Sequence, residues 1–199
     1  VKKGIAFFDF DGTITTKDTL LEFIKYCKGS LSFYVGFMLN SPWLVAFKLG
    51  VISNQSAKEK VLSYFFNGTT TEQFKSYCEK FAADIIPSLI RPKALDEIKK
   101  LQAAGVTVVI VSASPENWVA KWAEKNAIPT TIATKLVIKD NKITGAIAGR
   151  NCHGEEKVER IKKQYSLGDF EDIYAYGDSG GDKPMLQLAT HKHYKPFRD

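Results

Sequence analysis

Near the start of the chain, Asp9-Phe10-Asp11-Gly12-Thr13 sets two carboxylates at i and i+2 directly behind the apolar run of residues 5–8. On a continuing strand these acids would face opposite ways. At a strand end, with a glycine next in line, the backbone can turn and bring both onto one point. Three further clusters have the same character. Val111-Ser112-Ala113-Ser114-Pro115 joins a hydroxyl to a helix start, whose free N–H groups suit an anion. Gly154-Glu155-Glu156-Lys157 sets a lysine in a first helical turn, against the preference of the helix dipole. Gly177-Asp178-Ser179-Gly180-Gly181-Asp182 adds two acids among glycines that permit close backbone approach to a ligand. Two acids, a hydroxyl with backbone donors, a lysine and two more acids can hold a divalent cation and a phosphate together. Mg²⁺ favours such a set, a few carboxylates with phosphate oxygens completing the shell.

The elements that position these clusters follow from periodicity. Residues 4–9, 106–112 and 173–176 are near-continuous apolar runs, as strands buried on both faces should be. Residues 93–104 are amphipathic and end at Gly105, a natural helix stop. Ser114 and Pro115 are expected to open the next helix as N-cap and first residue. Its Trp118 and Trp122, one turn apart, are read as packing residues. Residues 135–149 alternate around Asp140-Asn141 and predict a hairpin. Strand, helix, strand, helix in this order predicts an α/β fold, a doubly wound parallel sheet that receives ligands at the carboxyl ends of its strands. Residues 15–89 break the pattern. Their composition is helical, with Phe74, Tyr77, Cys78 and Phe81 at helical spacing, and they are too long for a simple crossover. The expected division is a core of residues 1–14 and 90–199 with an inserted helical cap of residues 15–89.

Composition narrows the class. A 199-residue chain suits one domain, or one core with an insertion. A hydrophobic share of 44% excludes disordered, collagen-like and coiled-coil chains. Cys27, Cys78 and Cys152 form no CxxC pair, which argues against a disulfide framework or structural zinc. Residues 1–8 are too short and too soon followed by acid for a signal peptide, so a reducing cytoplasm is the expected location. The 28 basic and 22 acidic side chains leave +6, a mild bias toward phosphates, nucleic acid or an acidic membrane. The basic run His191-Lys192-His193-Tyr194-Lys195 has no stacking array or nucleic-acid module beside it and reads as a last sheet edge with a basic rim. No nucleic-acid partner is expected. Cys152 and His153 lack a third orienting group and are read as structural.

The order Asp9-x-Asp11-Gly12-Thr13, Ser112, Lys157, Gly177-Asp178 with Asp182 resembles the haloacid dehalogenase-like superfamily of phosphohydrolases. The inserted helices are similar to its C1 cap. The hairpin followed by Gly154-x-x-Lys157 resembles the branch that holds phosphoserine phosphatase and phosphatidylglycerophosphatase C-like proteins. The resemblance implies a Mg²⁺-dependent phosphatase. Asp9 would be the nucleophile that forms an aspartyl-phosphate, and Asp11 the general acid and then base. Asp9, the Asp11 carbonyl and Asp178 would hold Mg²⁺. Phe10, Ser112, Ala113 and Lys157 would bind the phosphoryl group, and Asp182 would orient Lys157. Dehalogenases of this fold lack the second acid, so Asp11 favours phosphate-ester hydrolysis; a mutase-like phosphoryl transferase shares both acids and stays open. Two-component receiver domains combine similar groups, but they are smaller, uncapped, and carry their acceptor acid on a later strand.

Substrate choice belongs to the cap. The phosphoserine enzymes carry a cap glutamate seven residues after the second acid and a cap arginine. Here the first position is Asp18, and residues 15–90 contain no arginine. A lysine lacks the planar two-point fit to a carboxylate. Residues 31–47 carry no charge, and Asn40-Ser41-Pro42 interrupts them, predicting two short apolar helices rather than one membrane span. Two readings stay open: helices packed on the core with a small soluble phosphate ester as substrate, or a lipid phosphate with peripheral contact at the inner face of a membrane through residues 31–52.

Overall fold

The computed structural model describes residues 4–198; Val1, Lys2, Lys3 and Asp199 lie outside the described residues. The first apolar run forms β1 (Gly4–Phe8), buried at every position. It is the middle of a five-stranded parallel sheet with β2 (Thr107–Pro115), β3 (Thr130–Thr134), β6 (Asp172–Gly177) and β7 (His191–Tyr194), in the order β3-β2-β1-β6-β7. Phe8 stands level with Ile110 of β2 and with Tyr176 of β6, so the clusters after all three strands emerge along one edge. The strand order reverses at β1, the place where open α/β sheets hold ligands.

Alternate residues of β1 feed two cores. Ile5 and Phe7 pack with Val109 and Val111, with Ile161 of α8 (Glu155–Gln164) and with Met185 of α9 (Lys183–Gln187). Ala6 and Phe8 face the other way, toward Ile98 of α6 (Pro92–Ala103) and toward Trp118 and Trp122 of α7 (Glu116–Lys125). Helices on both faces make this a doubly wound α/β fold. Both tryptophans are buried packing residues, as their spacing predicts.

Five helices lie between β1 and α6. They are α1 (Thr19–Leu39), α2 (Ser41–Lys48), α3 (Asn54–Phe66), α4 (Thr71–Asp84) and the short α5 (Ile86–Leu89). Side chains of Asp18, Ser53 and Thr70 cap α1, α3 and α4 by accepting from the N–H three residues on. Phe23 is the hub of this layer, stacked on Trp118 at 4.4 Å and packed against Phe66, Phe74 and Phe81. α1 is broken at Gly29, whose φ of 79° only glycine adopts without strain.

The hairpin of β4 (Leu136–Lys139) and β5 (Lys142–Ile147) turns at Asp140 and Asn141, both at positive φ as a tight hairpin turn requires. It docks on the inserted helices. Ser63 Oγ donates to the Thr144 carbonyl, Ile147 N–H donates to Glu59, the Gly68 N–H donates to the Ile143 carbonyl, and the Ile143 N–H donates to the Thr69 carbonyl.

One local expectation needs correction. Ser114 and Pro115 do not open α7. β2 runs on through Pro115, which pairs with Thr134 after a register shift, and the Ser114 N–H donates to Ser112 Oγ at 3.0 Å. That bond takes up the backbone donor which an N-cap arrangement would have left for an anion. β3 also joins the sheet without a sequence signal, being five residues long and rich in threonine.

Candidate active site

After Phe8 the backbone stays extended at Asp9, whose N–H donates to the Tyr176 carbonyl, and then closes into one kinked helical turn over residues 10–14. Gly12 makes the kink at φ 77°, and a β-carbon there would sit 2.6 Å from Asp178 Oδ2. Glycine is therefore needed twice over, for the dihedral and for the close approach of the two acidic loops. Thr13 Oγ1 donates to Asp9 Oδ2 at 3.1 Å and reaches Asp178 Oδ1 at 3.5 Å, tying the loops together.

Lys157 rises into this space from the first turn of α8. Its three ammonium protons are all engaged, with Asp9 Oδ1 at 2.7 Å, Asp182 Oδ1 at 2.6 Å and the Val111 carbonyl at 2.9 Å. The lysine is 1% exposed, Asp182 2% and Asp9 6%, so the cluster acts in a low-dielectric setting where each charge is felt strongly. Burial pulls the Lys157 ammonium down, but Asp9 and Asp182 hold it above its ordinary range. Burial pushes Asp9 up to about 7 against the pull of Lys157. Burial also lifts Asp182, but Lys157 and Ser179 keep it below the usual carboxylate range. Its second oxygen accepts from Ser179 Oγ and from the N–H groups of Asp178 and Ser179, so one side chain braces both the lysine and the loop carrying Asp178.

Asp11 is held by another relay. Its Oδ1 accepts from the N–H and hydroxyl of Thr19 at 2.7 and 2.6 Å, at the start of α1, and Trp118 Nε1 donates to that hydroxyl. Ser112 Oγ donates to Asp11 Oδ2 at 3.3 Å.

A cleft of about 690 Å³ opens above these groups. Asp9, Asp11, Asp18, Ala113, Lys157, Asp178 and Asp182, all singled out from sequence, lie on its wall. Phe10 and Ser112 do not. Phe10 is buried against Trp122 at 5.2 Å, and Ser112 is buried with its hydroxyl turned to Asp11. The cleft also gathers residues that sequence reasoning passed over. Lys58 comes in from α3, donates to the Ala113 carbonyl at 2.9 Å, and has its ammonium pulled down by burial. Arg91 follows α5 and lines the cleft, its buried Nε without a hydrogen-bond partner among the described residues. Arg91 lies one residue past the stretch searched for arginine. His153, expected to be structural, lines the cleft, while Cys152 beside it is fully buried.

Asp18 reaches the cleft from the cap position of α1. Its carboxyl is pushed up to about 6, first by burial and then by the charge of Asp11. A folded-state value above the ordinary one means that protonation favours the fold, and that this contribution is lost as pH rises through about 6. Asp18→Asn keeps a capping side chain. It is expected to stabilise the protein at pH 8 by about 0.5 kcal/mol, a figure reduced for solvent access along the cleft, and to do nothing at pH 4. Thermal melts at both pH values check this; equal melts of variant and parent at pH 8 would refute it.

One oxygen from each of Asp9, Asp178 and Asp182 can be chosen so that all three lie within 4.8 Å of one another. Asp182 is already committed to Lys157 and Ser179, which leaves Asp9 and Asp178 to face a cation. Burial, then the charge of Asp182, lifts the Asp178 carboxyl although Arg198 approaches it at 2.5 Å, so the pair carries negative charge that a cation would offset. Hard carboxylate oxygens in small number fit Mg²⁺.

Comparison with known proteins agrees with this arrangement. The family model of the haloacid dehalogenase-like hydrolases matches residues 6–187. The chain is 36% identical over 194 residues to Protein CicA of Caulobacter vibrioides, covering 96% of this chain and 85% of that one. It is 34% identical over 195 residues to a phosphoserine phosphatase of Methanocaldococcus jannaschii, covering 96% and 84%. A crystal structure of a protein of unknown function from Bordetella pertussis Tohama I superposes with a TM-score of 0.83 at 25% identity, covering 96% of this chain and 88% of that one.

Proposed function

The chain belongs to the haloacid dehalogenase-like hydrolases, in their phosphoserine phosphatase-like branch, and is a phosphohydrolase; from that premise we propose that it hydrolyses phosphate monoesters through an aspartyl-phosphate on Asp9. The observation that carries this reading is the buried Asp9–Lys157–Asp182 cluster at the cleft floor, with Asp11 beside it. Asp9 attacks phosphorus, the bond to the ester oxygen breaks, and Asp11 gives that oxygen a proton. Asp11 then takes a proton from a water that attacks the same phosphorus, which frees Asp9 and inorganic phosphate. Lys157 and the Ala113 N–H supply positive charge where the phosphoryl oxygens gather negative charge. Ser112 itself keeps Asp11 in place rather than touching the phosphate. Asp9, Asp178 and the Asp11 carbonyl would hold Mg²⁺, which when bound offsets phosphate charge.

Residues 15–89, with the hairpin of residues 136–147 fastened to them, act as the substrate-selecting cap over a core formed by the rest of the chain. Asp18, Lys58 and Arg91 contribute from its side and from its junction with the core. Two cations on the cleft wall favour a small ester with a second anionic group, and they stand in for the cap arginine that phosphoserine enzymes are expected to use. A lipid phosphate offers the same chemistry. Phosphate release is expected to fall at least about 100-fold when EDTA removes divalent metal, and to return with Mg²⁺. A panel of phosphoserine, sugar phosphates, phosphatidate and phosphatidylglycerophosphate in mixed micelles would rank the substrates. Hydrolysis indifferent to EDTA would sink the metal assignment. Transfer of phosphate to an acceptor in preference to water would favour a transferase.

A further inference from the structure

Fourteen large apolar side chains are markedly exposed among the described residues, and ten of them fall within positions 31–51. Such clustering is unlike the scattered exposed apolar residues of an ordinary surface. The segment meets the core only through Phe33, Phe37 and Leu44 and leaves most of its apolar side chains outside. α2 has an almost wholly apolar sequence, SPWLVAFK, and no buried residue. Beyond the break at Gly29, α1 turns Phe33 and Gly36 inward but leaves Leu31 80% and Met38 65% exposed. Its outward side is as apolar as its inward side, the pattern of a helix with another apolar medium to face.

The charges within this segment are of one sign, although Lys25 also pairs with Glu22 just before it at 3.7 Å. Residues 23–58 contain Lys25, Lys28, Lys48 and Lys58 and no acid. Lys58 serves the cleft, whereas Lys25 and Lys28 stand over the rings of Phe33 and Phe66 at the patch margin. Lys60 stands over the ring of Trp43 at 4.7 Å, and Lys48 ends α2. Tyr34 and Trp43, both substantially exposed, are the amphipathic aromatics favoured where hydrocarbon meets headgroups. Among the described residues no single helix is long and apolar enough to cross a membrane. α1 and α2 pass that test only as a pair, bent by 58°. Bent helices with apolar tips and a lysine margin lie in an interface rather than span it.

We infer that α1 beyond Gly29, α2 and the loop to Val51 dock on an anionic lipid bilayer surface, with apolar side chains in the headgroup region and the lysines against lipid phosphates. Val51 precedes the cleft-lining Asn54 by three residues, at most about 11 Å of chain. Docking therefore holds the cleft mouth beside the membrane.

Trp43 is the natural reporter, since Trp118 and Trp122 are buried. The intact protein should sediment with phosphatidylcholine vesicles containing one quarter phosphatidylserine, about tenfold more tightly than with pure phosphatidylcholine, and less tightly as salt rises. Trp43 emission should shift to the blue on binding. The triple change Met38→Ser, Val45→Ser, Leu49→Ser should abolish sedimentation while leaving p-nitrophenyl phosphate turnover within about twofold, which also shows that the variant is folded. The vesicle readout is independent of catalysis, so failure of the phosphatase reading would leave it standing. Protein that stays in the supernatant with both vesicle types overturns the inference. So does a concentration-dependent dimer that shields Trp43 and binds no vesicles, because a second copy would then own the face.

Discussion

Asp9→Asn is expected to cut phosphate release by about 10⁴-fold or more while leaving the melting temperature nearly unchanged. The amide is isosteric with the carboxyl; its oxygen can still accept from Lys157 while its NH₂ donates to the Thr13 hydroxyl, but it cannot serve as the nucleophile at phosphorus. Burial already pushes Asp9 up to about 7, so near neutrality the fold tolerates an uncharged group at this point and loses little when the change is made permanent. Rapid acid quench of the parent enzyme should trap acid-stable, hydroxylamine-sensitive phosphate on the protein, absent from the variant. A variant with parental turnover, or labelled phosphate on a different residue, would remove Asp9 from its assigned role.

Lys157→Met is expected to have the largest effect on stability. It strands the buried carboxylates of Asp9 and Asp182 and leaves the Val111 carbonyl without its donor. Breaking a buried pair by removing one partner costs about 3–5 kcal/mol, or on the order of 10 °C for a chain of this size. Phosphate release should disappear with it, because no fixed cation would then face the phosphoryl oxygens. The loss should depend on pH. Without the lysine, burial loses its main opposition at Asp9, and at Asp182 it is met only by the bonds from Ser179 and the Asp178 N–H, so both acids titrate higher when folded than in the parent. Protonation then favours the fold, so the deficit should be largest at pH 8 and shrink as pH falls toward 5. Melts in EDTA at both pH values decide the matter. A deficit under about 1 kcal/mol, or one equal at both pH values, would show that the charges are not buried as the geometry requires.

The catalytic end of the sheet was largely legible because its signals are local. An apolar run followed by acids and glycine marks a strand end whatever the rest of the chain does; two such runs, with a third ending in serines, point to one edge. Lys157 was legible for the opposite reason, as a cation where the helix dipole disfavours one. The misreadings share another cause. Ser114-Pro115 has the same letters in a helix start and in a strand that continues past a register shift, and the pairing of Pro115 with Thr134 decided between them. Ser112 was identified as a hydroxyl at a strand end, but its direction depends on Asp11, about a hundred residues away. Lys58 and Arg91 reach the cleft only because α3 and the α5 junction fold over it, and no local pattern separates them from surface cations. The apolar stretch of residues 31–47 is plain in the sequence, but only the structure shows that α2 has no fully buried residue and meets the core through Leu44.

The hairpin's attachment to α3 bears on how substrate enters. Its backbone bonds to Gly68, Thr69 and Thr71, with the bond from Ser63, fasten β4 and β5 to the inserted helices rather than to the main sheet. The chain thus crosses between the two bodies four times, near residues 15–18, 90–91, 134–136 and 148–151. A lid hung on two such crossings can swing about the line that joins them. One hung on four can move only by distortions shared among all of them, so these attachments favour a small, stiff displacement of the whole upper body over a wide swing.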